Sequence, residues 1–383
     1  MRILLITSRY LPHIGGLETV VSQLAQHFKE QHQVEIITNR LPKSLPAHEV
    51  IDGVPVTRMH FLLPRFWHLP GQGKQFLAAC LLAPATLIAL WRAIRRFKPD
   101  VIGLHYASNH LSAFVWAITS LVKTSFVLSL HGSDVWIEAQ RSPFDRWVFR
   151  RLVARAHAVT GCSASLLQDA ATLAPDIRAK GIPIHNGVQR SAFINAAPHD
   201  YPRPYIAGVG RLDHRKGFDL LIEAFAHIAP DFPDYDLLIA GGGSAQADLQ
   251  AQIDHFQLAH RVKLIGVLRY PALASFYKSA CVVVIPSRRE PFGIVALEAL
   301  AAGAHIVATR VDGLVEALAD AHVTWVMPET DSLESGLREA LARITTDAWR
   351  ADSQHNIEAS AHFGWDKVAD RYHAVLEKAV HDG

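Results

Sequence analysis

The stretch REPFGIVALEALAAG, residues 289–303, follows the apolar run CVVVIPS at 281–287. That run is continuous, β-branched and short, the pattern of a strand buried on both faces of a parallel sheet. From Ile294 onward the residues are strong helix formers, until Gly303 supplies a left-handed stop. The stretch therefore predicts strand, tight loop and helix, the repeating unit of a doubly wound α/β fold. Two glutamates interrupt its apolar character. Glu290 stands just past the strand's carboxyl end, and Glu298 lies about one turn inside the helix on the face of Ile294. Open α/β sheets bind ligands outside the carboxyl ends of their strands, which makes this loop the first candidate for a site.

The same alternation runs outward in both directions. RILLIT, QVEIIT, DVIGLH, SFVLSLHG, AVTGCS and the IPIHNG run read as strands of one parallel sheet, with helices around 17–30 and 75–97 between them. SAFINAAPHDYPRP, residues 191–204, is polar and Pro-rich and reads as a linker between domains. The pattern then restarts with YIAGVGR, DLLIAGG, RVKLIG, CVVVIPS and AHIVATR, while ADAHVTWVMPE reads as a loop. A length of 383 residues, half of them hydrophobic, suits two α/β domains.

Net charge is +2, with 38 Lys plus Arg against 36 Asp plus Glu, but it is unevenly spread. The part through Arg190 is about +10 and the remainder about −8. Such asymmetry predicts an anionic partner for the first half, a phospholipid surface or a phosphorylated acceptor. Nucleic acid is not expected, because no basic motif with interleaved stacking aromatics is present. The three cysteines, Cys80, Cys162 and Cys281, are widely spaced in apolar contexts, which predicts reduced core thiols in a cytoplasmic protein. MRILLITSRY reads as a first strand and not as a signal peptide. The apolar segment at 76–91 contains Pro84 and is shorter than the roughly 20 residues that span a bilayer.

GVGRLD, from Gly208, and GGGSAQ, from Gly241, each lack the third glycine of a dinucleotide fingerprint, which weakens a Rossmann dehydrogenase reading. Asp234-Tyr235-Asp236 has the spacing of a metal-binding pair but precedes a strand, where a turn is the expected role. No metal site is expected.

GGLE at 15–18, HGSD at 131–134, GRLDHRKG at 210–217 and EPFGIVALE at 290–298 together resemble glycosyltransferase family 4. The resemblance spans essentially the whole chain. It implies the GT-B fold, two doubly wound Rossmann-like domains facing each other across a cleft. The expected divisions are 1–187 on the acceptor side, 188–362 for the nucleotide-sugar, and a C-terminal helix at 363–383 crossing back to the first domain.

Arg211 and Lys216 lie between a strand and a helix N-terminus, a suitable clamp for a diphosphate; the alternative is an exposed basic turn. The resemblance implies that they hold the donor's diphosphate, that Glu290 accepts hydrogen bonds from the transferred sugar and Glu298 from the ribose diol. The backbone N–H groups of Phe292, Gly293, Ile294 and Val295 open a helix and have no intrahelical partners. Gly15 and Gly16 sit where a side chain would block backbone approach to donor phosphates, unless they serve only a turn. His131 is the family's contact to the donor sugar, and Asp134 is either a donor contact or a helix cap. His131, Arg211, Lys216 and Glu290 form the catalytic set. The implied reaction is retaining transfer of a hexose from a nucleoside diphosphate-sugar to a hydroxyl of a glycan, a lipid-linked sugar or a small glycoside. No cofactor is needed beyond the sugar nucleotide as co-substrate. A glycoside hydrolase, or a nucleotide-sugar-binding protein without activity, is the rival. Departures from the family pattern are Asp312-Gly313 for a glycine pair, followed by Glu316, and Gln189 for an aspartate. Last, FDRWVFRRLVARAH at 144–157 mixes Arg146, Arg150 and Arg151 with Trp147, Phe149 and Leu152, and predicts either a packed helix with a basic edge or docking on the inner membrane face.

Overall fold

In the computed structural model the described residues are 1–13, 15–62, 73–344 and 347–382, with the backbone alone at 73–81, 109 and 347–348. The side chain of Cys80 lies outside them; Cys162 and Cys281 are reduced thiols. The chain divides into two units, Met1–Ile184 with Asp366–Gly383, and His185–Trp365.

In the first unit the strands are β1 (Arg2–Thr7), β2 (Gln33–Asn39), β3 (His48–Ile51), β4 (Val54–Met59), β5 (Val101–His105), β6 (Ser125–Leu130), β7 (Ala158–Gly161) and β8 (Gly181–Pro183). They form one sheet in the order β3-β4-β2-β1-β5-β6-β7-β8. All pairs are parallel except β3 with β4. β5 and β6 are buried at every position, as strands covered on both faces must be. The last helix, Trp365–His381, belongs to this unit from Asp366 on: Tyr372 meets His105, and His373 stacks on His32.

The second unit holds β9 (Tyr205–Val209), β10 (Asp236–Ala240), β11 (Val262–Gly266), β12 (Val282–Ile285), β13 (Ile306–Thr309) and β14 (Val323–Val326). Their order is β11-β10-β9-β12-β13-β14, all parallel. The chain winds outward from β9 on one side and from β12 on the other, so these two neighbours flank the topological switch point. The helix Phe218–Ile228 buries Leu221, Ile222 and Phe225 against Ile206, Leu237 and Ile239.

Three expectations need correction. The β3–β4 hairpin was not anticipated, although Asp52-Gly53 carries its signature: both residues have positive φ, 50° and 83°, as a two-residue hairpin turn demands. The segment expected as a loop at 319–329 contains β14. The expected linker at 191–204 is part of the second unit. There Phe193 is fully buried against Tyr270 and Tyr277, and Tyr201 and Arg203 both hydrogen-bond the Asp236 carboxylate.

Candidate active site

The site of the second unit is built by loops leaving β9 and β12. After β9 the chain makes a short turn at His214–Lys216, capped by the Asp213 carboxylate, which accepts from the N–H of Arg215. Gly217 follows with φ 65°, and a Cβ there would run into the carbonyl oxygen of Pro286, so only glycine lets the two loops touch. Arg288 then ties them together. Its guanidinium binds both carboxylate oxygens of Asp219 at 2.7 and 2.6 Å, and its N–H donates to the Arg215 carbonyl at 2.7 Å. This clamp brings Lys216 and Glu290 into an ion pair. Ser287 Oγ donates to the same Glu290 carboxylate at 3.3 Å.

The Glu290 backbone is held from β13's loop. Its N–H donates to Asp312 Oδ2 at 3.1 Å, and its carbonyl accepts from the Gly313 N–H at 3.0 Å. Asp312 thus supplies a carboxylate that fixes the loop. Gly313 is required because a Cβ would meet the Pro291 carbonyl. Glu316 pairs with His185 at 3.1 Å, and the His185 ring stacks on Phe292.

Gly293, with φ 95°, caps the helix Ile294–Ala302. The Phe292 side chain is fully buried. The N–H groups of Phe292, Gly293, Ile294 and Val295 take no hydrogen-bond partner among the described residues, as expected where a helix opens. Glu298 is buried, and its carboxylate accepts from Tyr277 at 2.9 Å and Tyr270 at 3.3 Å. Burial pushes the Glu298 carboxyl up to about 7, against the pull of the two hydroxyls. Arg211, by contrast, is exposed and makes no side-chain hydrogen bond or ion pair to a described residue.

The two glycine clusters weighed against a dinucleotide fingerprint pack on each other. Gly210 N–H donates to the Ala240 carbonyl at 3.0 Å and Leu212 N–H to Gly242 at 3.1 Å. A Cβ on Gly241 would strike the Gly210 carbonyl. Their glycines therefore serve loop-to-loop contact. Asp236 of the D-x-D is buried and bound to Tyr201 and Arg203.

In the first unit His131 follows β6, and its Nε2 lies 3.3 Å from His105 Nδ1. Burial depresses the His131 imidazole to about 4, so it is neutral near pH 7. Asp134 is fully buried, and its carboxylate accepts from the N–H groups of His131, Gly132 and Val135. It organises the turn that carries His131 from inside the first turn of the helix Ser133–Trp136, whose N-cap is Gly132, so it is not the N-cap residue itself. Burial raises its carboxyl to about 6 while those N–H groups oppose the shift. Gly15 is extended, and a Cβ there would lie 2.7 Å from Glu18 Oε2. Gly16 is the first residue of the helix Gly16–Phe28.

Residues 15–187 match the glycosyl transferase 4-like domain, and residues 189–361 match glycosyl transferases group 1. The chain belongs to glycosyltransferase family 4. An uncharacterized glycosyltransferase of Methanocaldococcus jannaschii is 28% identical over 96% of each chain. D-inositol 3-phosphate glycosyltransferase 1 of Catenulispora acidiphila is 29% identical over 96% of this chain and 92% of its own. The sucrose-phosphate synthase of Thermosynechococcus elongatus superposes with a TM-score of 0.80 over 100% of both chains at 22% identity, which shows the shared GT-B fold. Family membership makes this protein a glycosyltransferase rather than a glycoside hydrolase.

Proposed function

We propose that this glycosyltransferase moves a hexosyl group from a nucleoside diphosphate-sugar to a hydroxyl acceptor, with retention of configuration and without a metal. The observation that carries the reading is what meets at the carboxyl edge of β9 and β12. The loop after β9 carries the exposed cation Arg211 and Lys216 of the Lys216–Glu290 pair, and the segment after β12 supplies the open N–H groups of a helix N-terminus and the buried Glu298 carboxyl. A sugar nucleotide has hydroxyls at both ends and phosphates between, so it needs acceptors flanking a cationic, N–H-rich centre.

In this reading Arg211 and Lys216 hold the diphosphate, Glu290 accepts from sugar hydroxyls and Glu298 from the ribose diol. His131 meets the donor sugar as a neutral imidazole. As the bond to the leaving phosphate lengthens, negative charge grows on its oxygen and the two cations offset it. The same oxygen takes the proton of the acceptor hydroxyl on the face that it leaves, so no protein nucleophile intervenes. A thermal-shift panel of UDP-, GDP- and ADP-sugars tests donor binding. At least one class should raise Tm by mass action, and Arg211→Ala should remove the shift. No shift with any class at millimolar concentration would overturn the donor assignment, and donor binding without turnover would make the protein a binding scaffold.

The acceptor side of the proposal is an anionic membrane surface carrying a lipid-linked acceptor. No helix among the described residues is long and apolar enough to cross a membrane. On the helix Pro143–Arg155, Phe149 and Leu152 face the core, whereas Trp147 stays 40% exposed beneath Arg151 at 5.4 Å. Trp91, 41% exposed, lies under Arg95 at 5.2 Å. Exposed tryptophans paired with arginines suit the headgroup region of an anionic bilayer.

A further inference from the structure

The histidine pair of the first unit contains one member that the proposed reaction does not use. His105 closes β5 and lies beside Ser129 in the parallel register with β6. Side chains two residues apart on a strand point the same way, so His131 brings its ring over that of His105, with centroids 5.5 Å apart. His105 Nδ1 and His131 Nε2 are 3.3 Å apart, within hydrogen-bond reach. His105 is 2% exposed, and the Tyr372 ring also packs against it with centroids 5.9 Å apart. Tyr372 is itself tied to Thr160 and Ser129, which share a hydrogen bond of 2.8 Å. The residue after His105, Tyr106, has φ 67°, a left-handed conformation that a bulky side chain rarely adopts, and its N–H is bound to the Ser129 carbonyl at 3.1 Å.

We propose that His105 is a positioning residue for sugar transfer: its Nδ1 hydrogen bond fixes the tautomer and ring plane of His131, leaving His131 Nδ1 as the nitrogen presented to the donor sugar. Each neutral imidazole carries one N–H, and only one of the two facing nitrogens can hold its proton in the shared hydrogen bond, so the tautomer of His105 dictates that of His131. Burial holds both rings neutral, which removes the competing doubly protonated form. No described residue engages His131 Nδ1. The inference rests on the donor-sugar role of His131, but the tautomer is read without turnover, which keeps the two claims separable.

The test compares His105→Phe, which keeps a buried ring and cannot hydrogen-bond, with His105→Asn, whose amide reaches the position of Nδ1. Long-range 1H–15N spectra of histidine-labelled protein, assigned with His131→Gln, should show one neutral His131 tautomer in the wild type and in His105→Asn, and a mixture in His105→Phe. With the active sugar nucleotide, kcat of His105→Phe should fall about a hundredfold at similar KM, as for a misplaced reacting group, and His105→Asn should recover most of it. A purely packing role for His105 would instead favour Phe over Asn. An unchanged His131 tautomer in His105→Phe, or wild-type kcat in that variant, would overturn the proposal.

Discussion

Lys216 and Glu290, 74 positions apart, form an ion pair in which the Glu290 side chain is only 6% exposed and that of Lys216 20%. Removing either partner therefore does more than remove a donor contact. Lys216→Ala strands a buried carboxylate whose remaining side-chain partner is Ser287, at a cost of about 1–3 kcal/mol. Urea unfolding should show that loss, and Lys216→Met combined with Glu290→Gln should recover most of it. Each single variant and the double variant should lose most transfer. Equal stability of Lys216→Ala and wild type would mean that the pair is not formed in solution.

Arg211 gives the opposite pattern. It is exposed and unpaired among the described residues, so Arg211→Ala should leave stability within about 0.5 kcal/mol. Its loss of a charge-assisted contact to the diphosphate, about 2–5 kcal/mol, should cut transfer tens to thousands of times. Wild-type kinetics in this folded variant would dismiss the diphosphate clamp.

Glu298 predicts a pH dependence whose sign follows from burial. Its folded pKa, about 7, exceeds the ordinary value of 4.5, so the native state binds the proton more tightly than the unfolded chain does. Stability from this group is present at low pH and is lost as pH rises from about 4.5 to about 7. Glu298→Gln should flatten that part of the Tm profile. Ribose hydroxyls donate best to the ionised carboxylate, so donor affinity should rise between pH 5.5 and 8 in the wild type and not in Glu298→Gln, measured by titration calorimetry. A flat wild-type profile would remove Glu298 from the ribose contact.

Membrane docking is separable from chemistry. Co-sedimentation should appear with anionic liposomes, fall with salt, and weaken by about 1 kcal/mol per charge in Arg146→Ser and Arg151→Ser. Equal partitioning onto neutral and anionic vesicles would favour a soluble, phosphorylated acceptor.

The parts of the fold that were legible from sequence are those written in contiguous residues. CVVVIPS followed by REPFGIVALEALAAG encodes strand, loop and helix within one stretch, and Gly303 does end the helix with φ 70°. What escaped depends on tertiary packing. The 191–204 segment has no periodicity, and only the burial of Phe193 and the bonds to Asp236 make it part of a domain. β14 is four residues long, too short to show alternation. Arg288 and Asp312, which place Glu290, act across 69 and 22 positions, and nothing local marks them. His105 did leave a signal: DVIGLH ends on a histidine at a strand's carboxyl end, and His131 directly follows the next strand.

The most direct test of the central claim is the anomeric configuration of the product, read by NMR during acceptor-dependent release of nucleoside diphosphate in the presence of EDTA. The account predicts a product with the donor's own configuration, formed at an undiminished rate with chelator and lost in Arg211→Ala. An inverted product, free sugar released without acceptor, or activity that stops with EDTA and returns with magnesium or manganese would contradict it.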